Sequence, residues 1–201
     1  MLSESIIALG FAIAAYASAK LFSDLHQLPR LRVQPDPIPR SMHGLNVRSA
    51  VPEQQWIAIK KVMMGNTVMR TPKCECCGAA GPLECHEVWI FTWPRTQKLE
   101  GLKLLCHLCH MVHHIGFAIY KLGQGEEVIQ HFMKVNRIDR KTADRYIKQS
   151  FRKARELNRF SPITMSKQHR LDLTYLNDEK FKLKRTFTTD ERKSCNPKHS
   201  A

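Results

Sequence analysis

Four cysteines in two C-x-x-C pairs give this chain its clearest indication of a metal site. Cys74 and Cys77 form the first pair, and Cys106 and Cys109 form the second. A tetrahedral zinc ion takes four thiolates at about 2.3 Å, and two knuckles of this spacing can supply all four. The sequence therefore predicts a structural Zn²⁺ held by these four cysteines.

The cysteine count favours zinc over disulfides. The chain has 7 cysteines, so a disulfide scaffold would leave one of them unpaired. Four zinc ligands and three ordinary thiols, Cys76, Cys85 and Cys195, instead fit a reducing compartment, where disulfides are rare. We therefore expect the four paired cysteines to face the cytosol.

A second set of side chains near the knuckles could hold another metal ion. His110 and His114 are four positions apart, so a helix would project both from one face, where they can chelate one ion. His86 and Glu87 lie between the two knuckles. Because the thiolates are committed to zinc, these side chains remain available for an open divalent site, and His86 or Glu87 could activate water.

The patterns around these residues predict an α+β fold. The segment LECHEVWIF, from Leu83 to Phe91, alternates and is rich in strand formers, which indicates a β-hairpin. From Leu108 the pattern predicts a helix that stops at Gly123 and Gly125. Another helix is expected from Glu53, with Trp56 as a packing anchor. We predict a small hairpin plus helix, stapled by the four-cysteine zinc site, with flanking helices.

Charge points to a polyanionic partner. The formal net charge is +14 and the pI is about 9.7, which favours nucleic acid over an anionic membrane. Half of the excess lies between Lys134 and Arg159, where ten basic residues stand against three acidic ones. This segment predicts a helix capped by Asp139. Either its basic side is merely solvated or it contacts phosphates through Arg145, Lys148, Arg152 and Arg155.

The N-terminal segment is apolar, and three interpretations remain open for it. Residues 6–19 carry no charge and the stretch can be extended to residue 22, whereas a membrane span needs about 20 apolar residues. It could be a single anchor with the following arginines on the cytoplasmic side. It could also be a signal peptide, although no Lys or Arg precedes it, or a surface or core helix.

These patterns divide the chain into five parts. Residues 1–23 are the apolar segment, a candidate membrane anchor, and residues 24–52 are expected to be a linker. Residues 53–125 form the zinc-stapled core and residues 126–160 a helical basic extension. Residues 161–201 are expected to be a basic, flexible tail.

The order of the motifs resembles a known family. C-x-x-C, H-E-x-W and C-x-x-C-H-x-x-x-H, followed by HFMKVN at residues 131–136, is similar to the zinc-containing HNH endonuclease-like proteins of bacteria and phages. The resemblance covers about residues 56–160. It implies a ββα-metal core, DNA as substrate and a catalytic Mg²⁺, Mn²⁺, Ni²⁺ or Zn²⁺ held by His86, His110 and His114.

The resemblance also places the catalytic residues, and here the chain departs from the family pattern. Glu87 falls at the position of the general base, which is usually a histidine. In an alternative register His86 is the base and Cys85 takes the ligand position. Gly101 stands where the family has its middle asparagine, which orients the active-site loop.

Two main hypotheses about function follow from these residues. The first is an HNH endonuclease, either anchored at the cytoplasmic face of a bacterial inner membrane or soluble in the cytoplasm. The second is a zinc-stapled nucleic-acid-binding module that has lost catalysis. A third is a membrane-tethered scaffold whose basic helix meets anionic lipid.

Overall fold

A computed structural model of the chain describes residues 31–36, 38–65, 71–92, 96–159, 168–183, 187 and 191–194. The apolar segment 6–22, and with it the predicted anchor, lies outside these residues. Among the described helices, none combines the length and the apolarity that crossing a bilayer requires. The described elements all lie in one compact unit that begins at Arg32.

Among the described residues, two helices are followed by two strands, four further helices and two further strands. The helices are α1 (Val47–Ala50), α2 (Glu53–Met64), α3 (His107–His113), α4 (Ile115–Tyr120), α5 (Gly125–Asn136) and α6 (Arg140–Arg159). The strands are β1 (Glu84–Thr92), β2 (Thr96–Leu105), β3 (Gln168–Asp172) and β4 (Glu191–Ser194). Short 3-10 turns lie at Arg40–Met42, Thr174–Asn177 and Glu179–Phe181. The mixed α+β class is as predicted.

The sheet is built on the predicted hairpin. Strands β1 and β2 pair antiparallel from Glu84 opposite Leu105 to Thr92 opposite Thr96, with a bulge between Val88 and Trp89. Strand β3 then pairs parallel with β2, and β4 pairs antiparallel with β3. In the part of the chain that the structure describes, the strand order is β1-β2-β3-β4.

The two faces of the hairpin have different neighbours. Successive side chains of a strand point to opposite faces, so Cys85, Glu87 and Trp89 share one face and Glu84 and His86 share the other. The first face packs on a hydrophobic core to which α1, α2, β3 and the C-terminal turns contribute. The second face meets α3, where the rings of His86 and His113 stack. Only the side chains on the second face of β1 can therefore bind a metal ion together with side chains of α3.

The described residues of the predicted linker 24–52 that lie in this unit, 32–36 and 38–52, pack against the rest of the fold. Val33, Met42, Leu45 and Val47 are buried, and α1 begins with a capping box between Asn46 and Ser49. The side chain of Asn136, at the end of α5, accepts hydrogen bonds from the amides of Arg32 and Val33 and donates to the Val33 carbonyl. These contacts are irregular in spacing, which is why no helical or strand period marks them.

Of the predicted tail 161–201, the structure describes residues 168–183, 187 and 191–194, and some of these pack into the core. Residues Leu171, Leu173, Leu176, Phe181 and Phe187 are almost fully buried in the hydrophobic core. Strand β3 covers the open edge of β2 by parallel pairing. The apolar residues are separated by charged ones, and their partners lie far away in the chain, so local composition alone indicates a tail.

The helices lie where the sequence patterns predict them, with one difference. Trp56 and Ile59 of α2 are buried as expected, and Asp139 accepts a 2.7 Å hydrogen bond from the Thr142 amide at the start of α6. The single helix predicted after Leu108 is instead divided into α3 and α4. His114 separates them, with φ −97° and ψ 37°.

Phe181 tests whether the C-terminal part belongs to the core. It is 2% exposed, so Phe181→Ala leaves a cavity and should lower the free energy of unfolding by about 3–5 kcal/mol. Ile57→Ala, at a residue that is 40% exposed, should cost about 1 kcal/mol or less. Urea unfolding of the zinc-loaded chain measures both. Equal stability of wild type and Phe181→Ala would mean that the tail is not part of the folded core.

Candidate metal centre

The four paired cysteines converge on one point. The Sγ atoms of Cys74, Cys77, Cys106 and Cys109 all lie within 4.8 Å of one another. Those of Cys77 and Cys106 are 3.6 Å apart. This separation is too long for a disulfide and close to the edge of a ZnS₄ tetrahedron, about 3.8 Å for Zn–S bonds of about 2.3 Å. The four thiols can therefore hold a structural metal such as zinc.

Backbone hydrogen bonds position the first knuckle. Gly78 has φ +79°, and its amide donates to the Cys74 carbonyl at 2.8 Å. A glycine serves here because this left-handed conformation is strained for other residues. Glu75 ties the knuckle to the end of β2: its amide donates to the Leu104 carbonyl, and its carboxylate accepts from the Leu104 amide at 2.6 Å.

The second knuckle is the start of α3. Cys106 precedes the helix, Cys109 lies in its first turn, and the His110 amide donates to the Cys106 carbonyl at 2.9 Å. His131 of α5 adds a contact, with its Nε2 atom 3.1 Å from the Sγ atom of Cys109. Its position beside a zinc ligand would let it donate to the thiolate and stabilise the negative charge.

The structure also brings the three predicted histidine ligands together. His86, His110 and His114 each offer a ring nitrogen, and these atoms lie within 4.8 Å of one another. The ring centroids are 4.7–5.2 Å apart and the ring planes are inclined by 69–76° to one another. Rings inclined at these angles do not stack on one another, and their nitrogen atoms can point toward a shared position. The three imidazoles can therefore hold one divalent ion.

Burial prepares these imidazoles to bind a metal. It lowers the pKa of His114 from 6.5 to about 4 and also lowers the pKa values of His86 and His110. For His86, the neighbouring His113 adds to the effect. The rings are therefore neutral near pH 7, and a metal does not have to displace a proton.

Glu84 is a member of the site that the sequence analysis missed. Its carboxylate is hydrogen-bonded to Nδ1 of His110 and, at 2.8 Å, to Nδ1 of His107. Burial raises the pKa of Glu84, but the hydrogen bonds with His107 and His110 outweigh burial and lower it overall. A carboxylate on Nδ1 leaves Nε2 of His110 for the metal. The period-2 alternation of β1, which places Glu84 beside His86, was the signal for this role.

His113 is a second residue that the sequence analysis did not assign. It is buried and stacks on His86 with ring centroids 4.3 Å apart. Its ring also lies beside the Cys76 thiol, and contacts with Cys109 and His113 lower the pKa of this thiol. His113 is not one of the three clustered ligands and holds the ring of His86 in place by packing.

Glu87, predicted as the general base, is not brought to the imidazoles. Its carboxylate accepts hydrogen bonds from the Val47 amide at 3.0 Å and from Nε1 of Trp89 at 3.1 Å. Burial raises its pKa from 4.5 to about 7. Because Glu87 follows His86 on a regular strand, it points to the opposite face of the hairpin, where it links β1 to the first turn of α1.

The other site predictions can also be located. Cys85 shares the face of Glu87 and packs against the hydrophobic core, and burial raises its pKa to about 12. It does not join the imidazoles as the alternative register requires. Gly101 lies opposite Val88 next to the bulge, and a Cβ atom there would meet nothing within 4 Å. Crowding therefore does not explain why the chain has no asparagine there.

The basic residues lie on the exposed side of α6. Arg145, Lys148 and Arg155 are exposed, and Arg152 lies 3.9 Å from Glu156 one turn later. A surface ion pair of this length contributes little, so all four remain available to a polyanion.

Comparison with protein-family models, curated proteins and solved structures finds no match for this chain. Its function must therefore be inferred from the residues and geometry of the site.

Cys74→Ser tests the structural zinc. Losing one of four thiolates removes folding free energy that the metal supplies. We expect zinc bound per chain to fall and the thermal transition to be lost or strongly lowered. Cys76→Ser is the matched control, because Cys76 lies in the same knuckle but outside the four. Unchanged zinc content and melting in Cys74→Ser would contradict the site.

Glu87→Gln tests whether this carboxyl serves the fold. Between pH 4.5 and about 7 the folded protein keeps a proton on Glu87 that the unfolded chain releases. The stability due to this proton is complete below pH 4.5 and is lost as the pH rises through about 7. Wild type should therefore lose more stability than Glu87→Gln between about pH 5 and about pH 8. Urea unfolding measures this, with Glu100→Gln as control; identical pH profiles would refute it.

Proposed function

We propose that this protein is an HNH-type, metal-dependent endonuclease that hydrolyses phosphodiester bonds of DNA. The observation that carries the proposal is the convergence of His86, on a strand of a β-hairpin, with His110 and His114 on the helical segment that follows. A hairpin and helix around three metal ligands is the arrangement expected of a ββα-metal site. The motif order described above supports the same assignment.

The donor set fits a catalytic metal better than a structural one. Three neutral imidazoles leave at least one coordination position open, whereas closed structural sites have four protein ligands. The cluster of four cysteines already supplies such a closed site. A divalent ion bound to the three histidines would supply Lewis-acid stabilisation of the charge that develops on a phosphate.

The side chains around the three histidines hold and orient them. Glu84 fixes the tautomer of His110 through Nδ1, and the ring of His113 limits the motion of His86. Both effects pre-organise the ligands, which matters because a misplaced ligand costs metal affinity and rate. We assign Glu87 to the stability of the fold rather than to proton transfer, since its carboxylate contacts Val47 and Trp89.

The charged helix α6 would supply most of the DNA affinity. Contacts to phosphates from exposed basic residues are independent of sequence and weaken with salt. If Arg145, Lys148, Arg152 and Arg155 act in this way, replacing any one with Ala should reduce the slope of log K against log salt by about one unit.

A binding module without catalysis is the second candidate. One observation favours it. Glu87, at the position of the family's general base, points away from the histidines and accepts hydrogen bonds from Val47 and Trp89. Gly101 in place of the asparagine agrees with it. Such a module would keep the four-cysteine site and the basic helix and bind DNA without cutting it.

Plasmid nicking separates the two candidates. The full-length, zinc-loaded chain is incubated with supercoiled plasmid and Mg²⁺, Mn²⁺, Ni²⁺ or Zn²⁺, each with a parallel reaction in EDTA. We expect nicking with at least one metal, and none with His110→Ala or His114→Ala, which should keep the structural zinc and the fold. Glu84→Gln should weaken metal affinity about 10–100-fold, whereas Glu100→Gln, a matched exposed carboxylate of β2, should not.

Two results would contradict the nuclease. The first is a wild-type chain that binds DNA and never nicks it with any of the four metals, which would support the binding module. The second is nicking by the His110 and His114 variants as fast as by wild type, which would place the reaction outside this site. The Glu87→Gln variant should nick plasmid in proportion to its folded fraction. If the variant is fully folded and does not nick plasmid, Glu87 is the general base after all.

A further inference from the structure

An exposed aromatic surface lies on α4, which directly follows the histidine cluster. Phe117 and Tyr120 are 52% and 74% exposed. They are three positions apart, so both project from the same side of the helix. Large aromatic side chains that are exposed next to each other commonly mark an interaction site.

A third ring joins them from α6. The centroid of Phe151 is 6.1 Å from that of Tyr120, and the two ring planes are inclined by 57°. Gly116 permits this approach, since a Cβ atom there would lie 3.2 Å from Cε1 of Phe151. The rings come from two helices and are tilted to each other, so they present separate ring faces rather than one flat apolar layer.

Basic side chains border the rings. On α6, Lys148 and Arg155 lie one turn before and one turn after Phe151, on the same side of the helix. Arg152 is about 100° around the helix from Phe151 and lies one turn after Lys148. Lys148 and Arg155 have no ion-pair partner among the residues that the structure describes. The surface thus combines ring faces with cations that are free to meet phosphates.

The aromatic surface is close to the histidine cluster. The Phe117 amide donates to the His114 carbonyl at 2.8 Å, and Tyr120 is roughly 9 Å further along the helix axis than His114, at about 1.5 Å per residue. A polynucleotide that reaches the histidines could therefore extend over the rings within one or two nucleotides.

We propose that this surface binds single-stranded nucleic acid. The rings of Phe117, Tyr120 and Phe151 stack on unpaired bases. The side chains of Lys148, Arg152 and Arg155 contact the phosphates. Base stacking on aromatic rings beside a basic groove tolerates any sequence, because every base has a π face. A duplex hides these faces. The inference rests on the proposed nucleic-acid substrate and adds that its unpaired form is preferred at this surface.

Fluorescence anisotropy tests the preference without requiring cleavage. The full-length, zinc-loaded chain is titrated into a labelled oligothymidine of about 12 nucleotides, and into a duplex of equal length, with no other divalent metal added. Wild type should bind the single strand more tightly. Tyr120→Ala should weaken single-strand binding about tenfold, Tyr120→Phe should restore it, and Ile57→Ala, at an exposed apolar residue elsewhere, should leave it unchanged.

Further measurements distinguish the possible failures. Tyr120→Ala should leave duplex affinity and the salt slope unchanged, because stacking neutralises no phosphate. Equal single-strand affinity of Tyr120→Ala and wild type would overturn the inference. So would a Tyr120→Ala variant that loses only its binding to vesicles containing phosphatidylserine, which would indicate a lipid surface. Single-strand binding that depends on Tyr120, in a protein that never nicks DNA, would overturn the nuclease and leave this surface standing.

Discussion

The convergence of four thiols at the start of α3 organises both candidate metal sites and the elements around them. Four Sγ atoms within 4.8 Å of one another cannot all ionise unless a cation compensates their charge. Zinc would relieve this repulsion and join the first knuckle, the end of β2 and the start of α3 at one point. The same helical segment carries His110 one residue after Cys109 and ends at His114. Fixing the thiolates therefore also fixes the two histidines against β1.

The alternation of β1 then separates chemistry from stability. Glu84 and His86 face α3, whereas Cys85, Glu87 and Trp89 face the hydrophobic core. The buried carboxyl of Glu87 satisfies the Val47 amide and the Trp89 indole, two donors that would otherwise lose their partner. Glu87 occupies the motif's catalytic position, but its hydrogen bonds show that it joins α1 to the sheet.

Features with a local or regular signature could be predicted from the sequence. The C-x-x-C pairs, the four-residue spacing of His110 and His114, the hairpin and the basic helix all follow from short patterns. Strand alternation also predicts the direction of Glu87, because it follows His86 and must point to the opposite face of β1. The packing of residues 32–36, 38–52 and 168–183 could not be predicted, because it depends on contacts such as Asn136 with Val33 and on parallel pairing of β3 with β2. Such contacts join distant residues and leave no period in the chain.

X-ray absorption at the Ni K-edge of the zinc-loaded chain can decide whether two separate metal centres exist. Wild type should bind one further ion, Ni²⁺, whose first shell contains imidazole nitrogens and no sulfur, while the zinc edge retains a four-sulfur shell. Failure to bind Ni²⁺, or a sulfur shell around it, would contradict a distinct centre formed by His86, His110 and His114.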